Sequence, residues 1–292
     1  MTILKIGNRS LTVAVDPLGA ELASIKTADG AEWLWQGDPH FWTGRAPILF
    51  PVVGRSPDET VSIGGRKFPM GNHGFARQST FGVVEAGPET LRLRIVDSAQ
   101  TRTSYPFAFV LDIVFALDGG VLINRGEVRN PGDAPMPLSF GFHPAFAWPL
   151  PGGEGATHFV TLADGEEPPT RRLGAKLILG RDDEPSVFSR GRFAPEPKDF
   201  ERDAIILADV RSRTATFGVD GGPEIVVGWE RLTSLGLWMK PGAKYLCIEP
   251  WQGLPPLVGG SDALEERPGI VWLEPGATRS FTMTTTPRAR AA

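Results

Sequence analysis

Residues 107–120 read Phe-Ala-Phe-Val-Leu-Asp-Ile-Val-Phe-Ala-Leu-Asp-Gly-Gly, an apolar run of strand length that ends on an Asp-Gly-Gly turn. A second Asp-Gly-Gly, at 220–222, separates the strand-like runs 214–219 and 224–228. Glycine adopts the positive φ that a tight hairpin requires. Both stretches therefore predict antiparallel β-hairpins.

The same strand-like pattern continues in both directions from these turns. Leu91, Leu93 and Ile95 alternate with arginines, which places the apolar side chains on one face of a half-buried strand. Further strands, bounded by Gly, Pro or Asp, are predicted at 11–15, 21–26, 81–85, 107–117, 158–163, 175–179, 204–209, 234–239, 245–249, 269–273 and 280–285.

Helical signals are weak throughout. Only 38–42 and 262–266 are candidates for single helical turns, and the polar segments 54–66 and 180–202 are predicted as loops suited to ligand contacts. So many strands, without a linker or a repeat of fixed period, predict an all-β protein. We expect one large antiparallel β-sandwich over residues 1–286, followed by a mobile C-terminal tail at 287–292.

Composition and charge exclude several partners. The 292 residues carry 30 Lys+Arg against 34 Asp+Glu, a net charge of -4, so no basic field favours nucleic acid or an anionic membrane. The single Cys247 cannot form an intrachain disulfide. The N-terminus lacks a secretory pattern and no apolar run is long enough to span a bilayer, so a cytoplasmic location is predicted.

Common catalytic motifs are absent from the sequence. The four histidines, at 40, 73, 143 and 158, contain no pair at the spacing that places two metal ligands on one helix face. No Gly-x-Ser-x-Gly, Gly-x-Gly-x-x-Gly or phosphate-loop motif occurs. We therefore predict no metal site, and hydrolase, dinucleotide and nucleotide functions have no local support.

Three short segments carry ionisable residues between Gly and Pro. In Asn-His-Gly-Phe-Ala-Arg (72–77), the His73 ring either faces a cleft or caps a turn. In Phe-Gly-Phe-His-Pro (140–144), His143 precedes a proline that forces extended backbone, and a buried core histidine is the alternative. In Cys-Ile-Glu-Pro-Trp (247–251), Glu249 ends an apolar strand, where a carboxylate is costly unless paired or used.

These segments resemble the aldose 1-epimerase (galactose mutarotase) family, most closely its LacX-like subgroup. The stretches Leu-Trp-Gln-Gly-Asp-Pro-His-Phe-Trp (34–42) and Ala-Pro-Ile-Leu-Phe-Pro-Val-Val-Gly-Arg (46–55) extend the similarity, which runs from about residue 10 to about residue 285 in the family's order. The resemblance implies a galactose mutarotase-like antiparallel β-supersandwich whose concave face binds a hexose. This agrees with the all-β prediction made from the strand pattern.

The resemblance also implies a mechanism without metal or organic cofactor. Mutarotation opens the hemiacetal ring and closes it on the other face, for which one acid and one base suffice. Glu249 would take the O1 proton, His143 would protonate the ring oxygen, and His73 would polarise the same oxygen. At unperturbed pKa values, about 4.3 for Glu and about 6.5 for His, the base is ionised and the acid can be protonated.

Substrate contacts are predicted around this set. The candidates are Arg55, Arg77, Asp203 and Trp251, whereas Trp35, Trp42 and Trp148 are expected in the core. Ala145 stands where many family members have Tyr, so any contact through that ring is missing.

Several readings of the substrate remain open. Arg45, Arg55, Arg66 and Arg77 lie in or near one region, and some relatives act on hexose 6-phosphates, so a sugar phosphate is an alternative to a free sugar. A sugar-binding or sensing protein would use the same cleft without turnover. A polysaccharide-processing enzyme on a related sandwich would need a longer groove. The sequence leaves monomer or homodimer undecided.

Overall fold

A computed structural model describes residues 2–289, apart from the side chain of Ala175. The strands are β1 (Leu4–Gly7), β2 (Leu11–Asp16), β3 (Glu21–Thr27), β4 (Ile48–Leu49), β5 (Thr60–Ile63), β6 (Arg66–Pro69), β7 (Gly82–Ala86), β8 (Thr90–Val96), β9 (Val110–Asp118), β10 (Val121–Arg129), β11 (Met136–Leu138), β12 (Phe140–Phe142), β13 (Ala145–Ala147), β14 (Phe159–Leu162), β15 (Arg171–Arg172), β16 (Arg192–Phe193), β17 (Ile205–Leu207), β18 (Thr214–Gly218), β19 (Glu224–Glu230), β20 (Ser234–Trp238), β21 (Tyr245–Gln252), β22 (Val271–Leu273) and β23 (Thr278–Arg288). The helical elements are α1 (Ala99–Arg102) and the 3-10 turns Pro57–Glu59, Ala76–Gln78, Ala175–Leu177, Pro197–Phe200 and Leu264–Glu266.

Both Asp-Gly-Gly segments form the predicted hairpins. Asp118 pairs with Val121, so two glycines alone connect β9 to β10. The second hairpin joins β18 to β19, whose last and first paired residues are Gly218 and Glu224. In β8, Leu91, Leu93 and Ile95 are buried and their neighbours are more exposed, as the alternation predicts.

Two large antiparallel sheets form the body of the fold. One has nine strands in the order β16-β14-β18-β19-β23-β10-β9-β8-β7, and the other has seven, β15-β17-β20-β21-β12-β4 with β13 also paired to β21. Phe140 of β12 stacks on Phe281 of β23, with ring centroids 4.9 Å apart. The sheets thus pack face to face, and the predicted antiparallel all-β sandwich is confirmed.

Two local predictions are wrong. Residues 175–179 do not form a strand, because Lys176 and Leu177 adopt left-handed backbone (φ 61° and 59°) within a 3-10 turn. Residues 38–42 form a tight turn rather than a helical one, closed by a bridge in which the Asp38 N–H donates to the Trp42 carbonyl at 3.1 Å.

Three segments that were predicted to be loops or a tail contain regular secondary structure. The loop predicted at 54–66 holds β5, which pairs with β6, and the loop predicted at 180–202 holds β16 and a 3-10 turn. In the predicted tail, Pro287 and Arg288 extend β23, because β19 is long enough to pair with them and Arg288 bonds to Glu224 at 2.8 Å. Tail residues 290–292 lie outside the described residues. Within residues 2–289, no helix is long and apolar enough to cross a membrane.

Candidate active site

Sheet register places His143 opposite Glu249. On one side of His143, Gly141 of β12 pairs with Trp251 of β21; on the other, Ala145 of β13 pairs with Cys247 in the same register. His143 Nε2 consequently lies 3.1 Å from Glu249 Oε2. Both residues are buried, with 8% and 1% of their surface exposed, so this acid–base pair sits in a low-dielectric setting.

The pair belongs to a line of residues across the seven-stranded sheet. Ile206 of β17 pairs with Gly236 of β20, which pairs with Glu249. A Cβ added at Gly236 would lie 2.7 Å from the Trp251 ring, and one at Gly141 would lie 2.6 Å from it. Glycines on both flanking strands therefore admit the Trp251 indole to the same face as Glu249.

A loop brings His73 to this face. Its backbone is left-handed (φ 62°), and its Nδ1 accepts the Gly54 backbone N–H at 3.1 Å. The His73 backbone N–H donates in return to the Gly54 carbonyl at 3.0 Å. The His73 ring stands edge to face with His143, with centroids 5.6 Å apart. His73 thus caps a turn and faces the cleft, so both readings of the sequence hold.

All seven predicted site residues line one cleft of about 670 Å³, including its open mouth. They are Arg55, His73, Arg77, His143, Asp203, Glu249 and Trp251. Three segments far apart in the sequence therefore meet at one place, together with Arg55 and Asp203.

The charged side chains of the cleft differ in how they are held. Arg77 has no hydrogen bond or ion pair from its guanidinium to any described residue. Arg55 has an exposed partner, Glu59, at 3.6 Å. Asp203 has left-handed backbone (φ 66°), and its Oδ1 accepts the Ala204 N–H at 2.7 Å. Two guanidinium groups and a carboxylate are therefore available to polar ligand groups.

Sequence reasoning missed part of the aromatic lining. Trp42, expected only in the core, lines the cleft, and its ring centroid lies 5.1 Å from that of His143. Trp238, which was not singled out, also lines it. Trp238 is two residues from Gly236 on β20, so strand alternation assigns both to one face. Trp35 and Trp148 pack against the core, as predicted.

Burial changes the protonation of the acid–base set. The pKa of Glu249 is raised well above its ordinary value, first by burial and then by Asp203. The pKa of His143 is lowered well below its ordinary value, first by burial and then by His73 and Arg77. Unperturbed values therefore do not describe this pair. Since burial disfavours both charges, we interpret His143 and Glu249 as a neutral pair that holds one proton in total, at rest on Glu249.

His73 is neutral for a related reason. Burial, followed by the positive charge of Arg77, lowers its pKa to about 3. Because Nδ1 accepts the Gly54 N–H, the neutral ring carries its proton on Nε2. His73 therefore offers the cleft a hydrogen-bond donor that does not titrate near neutral pH.

Four buried polar atoms of cleft residues have no hydrogen-bond partner in the described part of the chain. They are Arg55 Nε, His143 Nδ1, Glu249 Oε2 and Trp251 Nε1. The 3.1 Å contact of Oε2 with His143 is close but is not aligned as a hydrogen bond. Buried polar groups are normally paired, so such a cluster is typical of a site that receives polar ligand groups.

Comparison with known proteins agrees with this geometry. The sequence profile of the family described as "Aldose 1-epimerase" matches residues 2–260. This chain belongs to the aldose 1-epimerase family. The family resemblance predicted from the sequence is confirmed, and the chain is an isomerase, a sugar epimerase or mutarotase.

Individual members of the aldose 1-epimerase family show the same relationship. The plasmid-encoded LacX protein of Lactococcus lactis subsp. lactis is 30% identical over 287 residues, which cover 94% of this chain and 95% of LacX. A galactose mutarotase related enzyme from Lactobacillus acidophilus superposes with a TM-score of 0.92 at 26% identity, over 99% of this chain and 98% of that one. A galactose mutarotase-like protein from Lactobacillus casei gives 0.90 at 26% identity, over 98% and 100%.

Proposed function

We propose that this family member is a mutarotase, which interconverts the α and β anomers of a hexose by acid–base opening and closure of the ring. The observation that supports this most directly is the buried His143–Glu249 pair at 3.1 Å, at the bottom of a cleft whose lining holds unpartnered polar atoms. A base and an acid in contact are what the reaction needs.

The shared proton accounts for both halves of the reaction. At rest the proton of the pair lies on Glu249; in the reactive form it has moved to His143, which makes Glu249 a carboxylate and His143 an imidazolium. Glu249 takes the O1 proton, the C1–O5 bond breaks, and His143 gives its proton to O5, which leaves the open aldehyde and a neutral pair. After rotation about C1–C2, neutral His143 takes the O5 proton, O5 attacks the other face of C1, and Glu249 returns a proton to O1. Protons balance without a cofactor.

The remaining cleft residues would orient the sugar. The His73 Nε2–H would donate to the ring oxygen, where negative charge develops as the C1–O5 bond breaks. Asp203 accepts hydrogen bonds from sugar hydroxyls, and Trp251 offers an aromatic face. Arg55 and Arg77 donate to the end of the sugar distant from C1.

A hexose 6-phosphate is the second candidate substrate. Two observations favour it: the Arg77 guanidinium lines the cleft and forms no ion pair with residues 2–289, although Glu21 acts on it at longer range, and the ion pair of Arg55 is long at 3.6 Å. Two such groups suit a phosphate. The carboxylate of Asp203 in the same cleft favours a neutral sugar hydroxyl instead.

Saturation exchange between anomeric protons, measured by NMR, tests both candidates. We expect faster exchange with the enzyme for glucose, galactose or glucose 6-phosphate, and a loss of about 10²- to 10⁴-fold in Glu249→Gln and His143→Gln. His40→Asn, at an exposed histidine outside the cleft, is the matched control and should exchange at the wild-type rate. Near-normal exchange in both cleft variants would contradict the mechanism.

A phosphate-binding role of Arg77 is tested by comparing KM for a phosphorylated sugar with KM for free sugars. If phosphate binds, Arg77→Gln should raise KM for glucose 6-phosphate about 10- to 100-fold more than for free sugars, since a charge-assisted hydrogen bond is lost. Arg66→Gln, at an exposed arginine outside the cleft, is the control. Equal effects on both substrates would exclude a phosphate role. Sugar binding without faster exchange of any anomer would instead indicate a binding protein.

A further inference from the structure

The only cysteine of the chain lies beside the acid–base pair, where the proposed reaction gives it no role. Cys247 and Glu249 are two residues apart on β21, so their side chains share a face of the strand. His143 stands opposite Glu249 and next to the residue pair Ala145–Cys247. The thiol is fully buried. A thiol, an imidazole and a carboxylate therefore meet at one point of the sheet.

Their distances suit a single cation. The Cys247 sulfur, a ring nitrogen of His143 and a carboxylate oxygen of Glu249 all lie within 4.8 Å of one another. Tetrahedral zinc, with bonds of about 2.0 Å to nitrogen or oxygen and about 2.3 Å to sulfur, separates its ligand atoms by roughly 3.3–3.6 Å. The His143–Glu249 separation of 3.1 Å is already close to this. The sulfur has to approach by about 1 Å at most.

The chemical type of the three ligand atoms indicates which metal ions they would bind. Thiolate and imidazole favour Zn²⁺ and other thiophilic ions, whereas Mg²⁺ and Ca²⁺ prefer oxygen ligands. Glu249 Oε2 is buried and lacks a hydrogen-bond partner within the described chain, so a lone pair is free. In residues 2–289, no other group of three His, Cys, Asp or Glu side chains brings its ligand atoms together in this way.

We propose that His143, Cys247 and Glu249 bind a thiophilic divalent cation such as Zn²⁺, and that the bound cation inhibits the isomerase. Binding sends two protons to solvent, that of the thiol and that shared by His143 and Glu249. His143 and Glu249 line the cleft, so a cation would reach the three ligands from there. The ion occupies the nitrogen and the carboxylate that the reaction requires, so it acts as an inhibitor and not as a cofactor.

Inhibition rests on the proposed acid–base roles, but metal binding does not, so the two are measured separately. Co²⁺ serves as the spectroscopic probe for binding. We expect a thiolate-to-cobalt charge-transfer band and tetrahedral d–d bands in the wild-type protein, both removed when Zn²⁺ displaces Co²⁺. Anomer exchange should fall with added Zn²⁺ and recover with EDTA.

Cys247→Ser is the diagnostic variant. It should lose the charge-transfer band, and the Zn²⁺ concentration for half-inhibition, measured against the variant's own metal-free rate, should rise at least about tenfold. Glu249→Gln should weaken Co²⁺ binding while keeping a thiolate band. A wild-type protein without that band, or equal Zn²⁺ sensitivity in Cys247→Ser, would overturn the proposal. The wild-type spectrum tests metal binding by itself, even if the serine variant fails to fold or the protein exchanges no anomers.

Discussion

The two ring nitrogens of His73 can be tested independently, because they face different partners. Nδ1 accepts the Gly54 N–H at 3.1 Å and holds the loop, while Nε2 is left to donate into the cleft. In His73→Asn, the amide oxygen replaces Nδ1 and the donor at Nε2 is lost. In His73→Gln, the amide nitrogen replaces Nε2 and the acceptor for Gly54 is lost. The first variant removes the proposed function of His73, and the second removes its structural role.

The expected effects differ in kind and size. His73→Asn should fold almost normally, since asparagine tolerates the left-handed backbone at this position (φ 62°). Its exchange rate should fall about 10²- to 10³-fold, the usual cost of one donor aimed at developing charge. His73→Gln leaves the buried Gly54 N–H without an acceptor, which should lower the free energy of unfolding by about 1–3 kcal/mol. It should keep more activity than the asparagine variant.

Anomer exchange by NMR and urea unfolding, run on both variants, give the two readouts. The loss of activity should be larger in His73→Asn, and the loss of stability should be larger in His73→Gln. If His73→Asn exchanged anomers at the wild-type rate, His73 would be only a turn-capping residue. If both variants lost stability equally and activity equally, the assignment of the tautomer from the Gly54 contact would be wrong.

Three further outcomes follow from the geometry. Because the folded-state pKa of His73, about 3, lies below its ordinary 6.5, the unfolded chain binds the extra proton, and stability should fall as pH drops from 6.5 toward 3. His73→Asn should show a shallower decline in urea unfolding over that window, and parallel curves would contradict the shift. Gly236→Ala puts a Cβ 2.7 Å from the Trp251 ring, so it should lower the free energy of unfolding by about 1–3 kcal/mol and remove most of the activity. Gly120→Ala, whose Cβ meets nothing within 4 Å, is the control and should change little in either. Equal stabilities of the two variants would show that the indole moves freely. Tyr105→Phe should lower the free energy of unfolding, measured in urea, by about 1–2 kcal/mol, because the buried hydroxyl donates to a backbone carbonyl at 2.7 Å. Its anomer exchange should be unchanged, and a slower exchange would show that Tyr105 is coupled to the site.

The hairpins and half-buried strands were predictable because their signals are local. Asp118 and two glycines specify a turn whatever surrounds them, and the alternation at Leu91 and Leu93 directly reports a strand with one buried face. The three short motifs identified the family in the same way. Each of these signals is contained in fewer than about ten residues.

Of the strands that build the site, β17, β20 and β21 were predicted from the sequence, but β12 and β13 could not be. β12 and β13 have three residues each, too few for any period to show, and they are extended because β21 pairs with both. The left-handed Lys176 and Leu177 carry no glycine signal, so 175–179 looked like a strand. The His143 and Glu249 pKa shifts depend on burial and on charges brought in from distant segments.

The proposed acid–base pair and the proposed substrate contacts lie on different kinds of structure. Glu249 lies within β21 and His143 is fixed between two strands of the same register, so the 3.1 Å contact is set by the sheet ladder. Proton transfer tolerates little displacement, which a rigid sheet provides. Arg77 and Asp203 stand outside the strands of the sheet, where sequence change is tolerated. Such a division would let loop residues adapt the cleft to a different sugar while the proposed acid, His143, and the proposed base, Glu249, stay in place.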